Sequence, residues 1–343
     1  MENAVNSLGP QSIFSIGGLS EIGVVRRAGN LMAQSQGFSE LRAGELALVI
    51  TEAATNISKH AQQGTIYLRM VSRGSRKGIE MLAVDKGPGM VDLPHNMQDG
   101  RSSTGTYGVG LGTIQRLSSE LEIYTAPGKG CVLMALVWDD VTALESTDWQ
   151  IGAMCIPLPS EDVCGDGWAN GQDEQLLNIL LADGLGHGPE AAIASKLATD
   201  ALNHYPQALP ARMMQHCHDA LRGSRGAAVA IAQINTDTDE IRFAGVGNIA
   251  ASFYHHDKRQ HLISSNGTVG SNLPRVREYP AAWQPDSTLI LHSDGITTHW
   301  DLEQYPGLKH SHPSLIAAVL FRDFCRDRDD GTVVVAKDQR ERV

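Results

Sequence analysis

Two sets of side chains in this sequence have types and spacings that could do chemistry. Glu52 and Asn56 lie four residues apart, one helical turn, in Glu52-Ala-Ala-Thr-Asn56-Ile-Ser-Lys-His60. On one helix face, such a carboxylate can accept a proton while the amide oxygen one turn on holds a hard cation, as an Mg2+–ATP site requires. The same spacing fits the solvated side of an amphipathic helix, and both readings stand at this point. The second set is Asp166, Asp183, Asp294 and the pair Asp329–Asp330, each in a turn or at the end of an apolar run. Taken singly, Asp183-Gly184 or Asp294-Gly295 is an ordinary turn pair. Brought together, these oxygens would suit Mg2+ or Mn2+ and would repel one another without cations. Two bridged metals would acidify a water for in-line attack on a phosphate ester.

Elements must position these residues. Ile22, Val25, Ala28, Leu31 and Met32 predict a helix over residues 19–36, stopped by Gly37, after a loose arm over residues 1–12. Ser39 caps a second helix to about Ala61. Leu46, Val49, Ile50, Ala53 and Ile57 form its apolar face, and Glu45, Glu52, Asn56 and Lys59 share another. Strands over 65–71 and 79–84 follow, the second running into Asp85-Lys-Gly87-Pro-Gly89-Met. After a polar loop, Gly105-Thr-Tyr-Gly108-Val-Gly110-Leu-Gly112 opens onto a helix over 113–120. Glycine backbone approaches a phosphate chain closely, and a helix start adds its positive end to such a cradle. Strands over 121–125 and 131–137 complete an α/β sandwich with helices on one face of a mixed sheet.

Residues 138–148 are short, acidic and aperiodic. They predict a domain over 1–138, a linker over 139–149 that holds the halves side by side, and a second domain over 150–343. Beyond the linker, strands are expected over 151–158, 175–182, 227–235, 240–244, 249–254, 261–264, 288–293 and 332–336, with helices over 189–203, 210–222 and 314–326. That order suggests two stacked sheets with helices outside, so the chain as a whole is α+β. His216-Cys217-His218 reads as packing rather than a metal site, since neighbours two apart on a helix point away from each other, and His255–His256 is read as packing too.

The totals narrow the partners. A length of 343 residues suits two domains, and a net charge of −11 argues against nucleic acid or an anionic membrane, because no basic field would gather phosphates. Five scattered cysteines suit reduced thiols rather than a disulfide framework. Neither a signal peptide nor an apolar run long enough to span a bilayer is visible, so a cytoplasmic protein is expected.

The motifs Glu52-Ala-Ala-Thr-Asn56, Asp85-Lys-Gly-Pro-Gly89, Gly108-Val-Gly-Leu-Gly112 and Gly128-Lys-Gly130 resemble the GHKL ATPase fold, and within it the RsbT-like anti-sigma-factor serine kinases. The resemblance covers about residues 15–138 and implies Glu52 as base for the attacking hydroxyl and Asn56 as Mg2+ ligand. It implies Asp85 as acceptor from the adenine amino group, with Gly87, Gly89, Gly108, Gly110 and Gly112 shaping the phosphate lid. Residues 98–104 look like the kinase lid region, and Cys131 stands where many relatives have threonine. A sensor histidine kinase shares this fold but needs a helical hairpin upstream, for which the residues ahead of Ser39 are too few.

From residue 150 on, Gly165-Asp166, Asp183-Gly184-Leu-Gly-His-Gly188, Ser293-Asp294-Gly295 and Asp329-Asp330-Gly-Thr332 resemble the metal-dependent 2C-type protein phosphatases, in their SpoIIE and RsbX branch, with an αββα sandwich. That likeness implies two Mn2+ or Mg2+ ions on Asp166, Asp183, the Gly184 carbonyl, Asp294 and Asp329, with Asp330 the second choice in its pair. The family's Gly-Asp-x-x-Asp continuation is absent, as Asn170 and Gly171 follow Trp168. Together the resemblances imply a bifunctional switch, an ATP- and Mg2+-dependent serine/threonine kinase joined to a phosphatase. Its substrate would be a STAS-domain regulator in stress or sigma-factor signalling, with a sigma-factor pathway protein as a further partner and a dimer left open. The alternative is a phosphatase whose first domain only binds ATP or sequesters a partner.

Overall fold

Two short strands, β1 (Asn6–Leu8) and β2 (Ser12–Ile16), stand where a loose arm was expected. Both lie antiparallel on β3 (Gly64–Arg73), a partner some fifty residues away that local pattern does not reveal. The computed structural model describes residues 6–93, 97, 110–140, 149–173, 175–256 and 258–340. By internal packing the chain divides into two units, one of Asn6–Glu145 with His310–Val319, the other of Ser146–Lys309 with Leu320–Val343.

In the first unit, α1 (Leu19–Gln36) ends where Gly37 turns to φ 82° and caps the Ala33 and Gln34 carbonyls. Its buried line is Ile22, Val25, Gly29 and Ala33. Leu31, expected inside, is 66% exposed, because the line that meets α2 runs through the small residues at 29 and 33. The Ser39 side chain accepts from Arg42 N and starts α2 (Glu40–Asn56). That helix buries Leu46, Val49, Ile50 and Ala53 as the periodicity predicts. Its last turn, Ile57–Ala61, widens to a π-helical one that ends at Gln62 with φ 67°. The strands β3, β4 (Arg76–Asp85), β5 (Glu120–Thr125) and β6 (Cys131–Trp138), with α3 (Gly110–Leu117) between β4 and β5, complete the unit. The sheet order is β1-β3-β4-β6-β5, and every described ladder is antiparallel where a mixed sheet was expected. Ile66, Leu68, Ile79, Met81, Leu133 and Ala135 of the sheet share one core with α1 and α2.

The segment His310–Val319 packs in the same unit around a buried polar knot. Arg69 Nη2 lies 2.7 Å from Glu80 Oε1, an approach that gives that oxygen no aligned hydrogen bond. Ser314 Oγ donates to Glu80 Oε2 at 2.6 Å and accepts from Arg69 Nη2 at 3.0 Å, so the hydroxyl completes the pair. A buried ion pair needs such extra hydrogen bonds to offset its lost hydration.

The second unit holds two five-stranded antiparallel sheets. Its first strands in chain order are β7 (Trp149–Ile156), β8 (Asp166–Gln172) and β9 (Leu176–Gly184). Helices α4 (Pro189–His204) and α5 (Pro210–Ala220) follow. Next come β10 (Ala227–Asn235), β11 (Glu240–Val246), β12 (Ala250–His255), β13 (Lys258–Leu262), β14 (Tyr279–Ala282) and β15 (Thr288–His292). Helix α6 (Pro313–Phe324) precedes β16 (Gly331–Asp338). The orders are β14-β11-β10-β9-β8 and β13-β12-β15-β16-β7. Leu180, Ala182, Val229 and Ile231 pack with Ala194, Ala198 and Met213 of the helices. The alternating Ile179, Leu181, Ala228 and Ala230 are buried too, as in a sheet covered on both faces. No strand was expected over β8, where Gly-Trp-Ala-Asn-Gly lacks a β-branched pattern; its pairing with β9 makes it one. Among the described residues no helix is long and apolar enough to cross a membrane.

Candidate functional sites

The polar face of α2 divides by partner. Arg42, largely buried, pairs with Glu45 and donates to the Trp138 carbonyl at 3.0 Å, so Glu45 belongs to the scaffold. Lys59 and His60 are exposed on the widened turn. Glu52 and Asn56 remain half-buried and aimed at the start of α3. A Cβ at Gly110 would stand 2.8 Å from Glu52 Oε2 and 3.6 Å from Asn56 Oδ1, so α3 begins directly against the pair and a side chain there would displace the Glu52 carboxylate. Gly112 is buried one step further along α3. Gly108 and the lid segment 98–104 lie outside the described residues.

Asp85 ends β4, where its Oδ1 accepts from Gly87 N at 2.8 Å and Cys131 N at 3.2 Å. The contact at Cys131 is made by backbone, so the absent threonine does not alter how this carboxylate is held. Gly89, at φ 70°, lies against the Ala126 carbonyl, and Met90 N donates to Thr125 Oγ1 at 2.9 Å. Gly87 and Gly89 thus join the Asp85 turn to the turn over 126–130, while Gly110 and Gly112 stand on the Glu52 side.

In the second unit, sheet register brings the aspartates to one end. Asp166 opens β8 directly opposite Asp183 near the end of β9. Gly184 follows, pressed so near the backbone of Ala191 in α4 that a side chain has no room. Asp294 follows β15, and Asp329–Asp330 precede β16, the neighbouring strand. Burial, then repulsion from Asp166, Asp294, Asp329 and Asp330, pushes Asp183 up to about 9. Burial likewise lifts Asp166 to about 7, although the Ser293 and Thr332 hydroxyls beside it pull the other way. Asp294 is raised by burial and by Asp329, and Asp330 chiefly by burial.

The members of the Asp-Asp pair have different surroundings. Asp330, 3% exposed, accepts from Leu158 N at 2.9 Å through Oδ1, and its Oδ2 is aimed at Gly165. Asp329 accepts from Asp330 N at 3.0 Å and stands against Asp294. Among the described residues no three His, Cys, Asp or Glu side chains are already drawn closely enough to hold an ion. The donor set nevertheless fits a hard dication: Asp166 Oδ2 is buried without a hydrogen-bond partner, and the carboxylates raise one another's affinity for protons.

Sequence reading missed two neighbours of this set. Asn248 Nδ2 donates to Asp294 Oδ2 at 2.6 Å, from a Gly-Asn step just before β12. His187 Nδ1 and Glu161 Oε1 stand 2.6 Å apart, though twenty-six positions separate them. The histidines set aside as packing are so placed: His216 stacks on Tyr205 at 3.8 Å and His218 Nδ1 accepts from Gly270 N.

Comparison with known proteins gives this geometry its family. The Histidine kinase-like ATPase domain model matches residues 19–136, and the Stage II sporulation protein E (SpoIIE) model matches 173–337. The chain is 32% identical over 118 residues to the serine/threonine-protein kinase RsbT of Bacillus subtilis (strain 168), covering 34% of this chain and 89% of that protein. A solved structure described as the bacterial stressosome, a modular system adapted to control secondary messenger signalling, is 26% identical at TM-score 0.53, covering 56% of this chain and all of that one. The PP2C phosphatase domain and regulatory fragment of SpoIIE from Bacillus subtilis is 18% identical at TM-score 0.49, covering 76% of this chain and 79% of that one. The chain therefore belongs to the RsbT-like kinase family through its histidine kinase-like ATPase domain, to which a SpoIIE phosphatase-type domain is fused.

Proposed function

We propose that this protein is a bifunctional phospho-switch, adding phosphate from ATP to a serine or threonine with its first unit and removing it with its second. The observation that carries the reading is the carboxylate set at one end of the second unit, in which register sets Asp166 opposite Asp183 and Asp166 Oδ2 is buried without a donor. Relation to a serine/threonine-protein kinase and the Glu52–Asn56 pair against Gly110 support the first activity.

In the first unit, Glu52 would take the proton from the attacking hydroxyl, Asn56 would offer its amide oxygen to Mg2+, and Asp85 would accept from the adenine amino group. Gly87, Gly89, Gly108, Gly110 and Gly112 would leave room for the triphosphate. Positioning and charge stabilisation would supply most of the rate, as phosphoryl transfer needs little covalent help. In the second unit, Asp166, Asp183, the Gly184 carbonyl, Asp294 and Asp329 would hold two Mn2+ or Mg2+ ions. When bound, these supply an acidified water and neutralise the developing charge on the phosphate. Asp330 is assigned to bracing the 158–165 loop, since one oxygen is committed to Leu158 N. Asn248 orients Asp294.

The substrate class fitting both halves is a STAS-domain regulator of stressosome or anti-sigma-antagonist type, a reading supported by the likeness to a stressosome structure. Incubation with labelled ATP and candidate STAS proteins, followed by an Mn2+ chase, tests it. Label should enter the STAS protein and leave on the chase. Retention of an unlabelled STAS protein would instead make the first unit a sequestering module. A phosphatase rate that changes with an ATP analogue would show the coupling that prevents futile ATP consumption.

A further inference from the structure

Cys155 and Cys164 form a second chemical feature beside the carboxylates. Cys155 lies on β7 and Cys164 in the loop that enters β8, and both thiols are half-buried rather than sealed. Their sulfurs stand 3.6 Å apart, and Cys155 Sγ is also 3.8 Å from the Asp166 carbonyl oxygen. Cys155 faces Thr332 across the β7–β16 ladder, whose hydroxyl adjoins the Asp166 carboxylate. Cys164 is two residues ahead of Asp166, and the intervening Gly165 is pinned on two sides. Its carbonyl accepts from Gly184 N at 3.2 Å, and a Cβ on it would stand 2.6 Å from Asp330 Oδ2. Cys217, by contrast, is fully buried in the helical layer.

We infer that Cys155 and Cys164 are a redox modification site, closing to an intramolecular disulfide under a peroxide oxidant and shifting Asp166 as they close. One thiol attacks the peroxide O–O bond, becoming a sulfenic acid and releasing water. The other attacks that sulfur; the S–S bond forms, the S–O bond breaks, and the departing hydroxide leaves as water with the second thiol's proton. Two thiols and one hydrogen peroxide thus give one disulfide and two waters, the sulfurs losing the two electrons the peroxide gains. A disulfide bond is about 2.05 Å long, so the sulfurs must approach by about 1.5 Å. Side-chain rotation can supply part of that movement. The rest falls on the 159–165 loop, because Cys155 is held on β7, the edge strand of its sheet, by the ladder with β16. Gly165 is tied to Gly184 N through its carbonyl and precedes Asp166 directly, so the displacement passes to Asp166 and its register with Asp183.

The effect on metal binding rests on the carboxylate reading above, so the experiment separates the two. The full chain is treated with hydrogen peroxide or kept in reductant, and differential alkylation with peptide mass spectrometry locates the cross-link. The expected product is a Cys155–Cys164 disulfide reversed by reductant and absent in Cys164→Ser and Cys155→Ala, either variant sufficing. Amide hydrogen exchange across 163–168 should change on oxidation of the wild-type chain alone. Mn2+ affinity measured by titration calorimetry should fall about tenfold or more, the scale of a disturbed ligand support. Oxidation that joins other cysteines, or a correct cross-link with unchanged hydrogen exchange at 163–168, overturns the inference. Absence of Mn2+ binding in the reduced chain would overturn the metal reading, leaving mass spectrometry and exchange to decide the disulfide.

Discussion

The two sites are built on opposite plans. In the first unit Glu52 and Asn56 lie on one helix, a turn apart, and a glycine at the start of α3 closes on them. In the second, five carboxylates arrive from β8, the end of β9, the loop after β15 and the loop before β16, the last supplying two. The Glu52–Asn56 pair depends on the pitch and cap of α2, and only Asp85 at the end of β4 draws on sheet register, which sets it opposite Cys131. A slip of one residue between β8 and β9 would send Asp166 to the opposite face from Asp183 and dissolve the other site. The second plan also gathers like charge under burial, so that site carries unfavourable energy that a dication would relieve.

Substitutions should separate these plans. Glu52→Gln keeps shape but removes the proton acceptor; phosphotransfer should fall by about 10²–10⁴-fold while ATP binding and hydrolysis by the second unit persist, read by label transfer and calorimetry. Asp183→Asn should lower phosphatase rate and Mn2+ affinity by more than about 100-fold and leave label transfer intact, the mirror image of the first result. If both variants lost both activities, the plans would not be independent.

Proton linkage gives a third contrast. Without metal, folded Asp183 and Asp166 hold protons up to about 9 and 7, which the unfolded chain releases near the ordinary value of 3.8. The folded state binds more protons across that interval, so stability falls as pH rises from about 4 towards 9. The melting temperature of the metal-free second unit should decline along this interval, Mn2+ should restore it increasingly at higher pH, and Asp183→Asn should flatten the slope. The smallest effect is expected from Ser39→Ala, which removes the cap of α2: about 1 kcal/mol from the first unit in urea denaturation, with Mn2+ affinity unchanged.

Much of the first site was legible because its chemistry is local. The three- and four-residue spacing on α2 forecast the face shared by Glu52 and Asn56, and the glycine turns forecast the ends of β4 and the start of α3. Even there, Glu45 looked equivalent to Glu52 until Arg42 was found to hold it. Leu31 looked like core until the helix–helix contact chose Gly29 and Ala33 instead. The aspartates of the second site were legible one by one as turns, and family resemblance grouped them. Periodicity alone contains no distance between positions 166 and 330.

Helical pitch, capping hydroxyls, glycine turns and a chain of apolar strands follow from residue order, because those preferences act over a few neighbouring residues. Pairings across many positions arise only when the sheets form: β8 on β9, Asn248 on Asp294, Ser314 within the Arg69–Glu80 pair, and Cys155 beside Cys164. Packing also gives the members of the Asp329–Asp330 pair, adjacent and chemically identical, different neighbours. Burial and mutual repulsion, which set the charge state of the carboxylate site, depend on distances that folding alone creates.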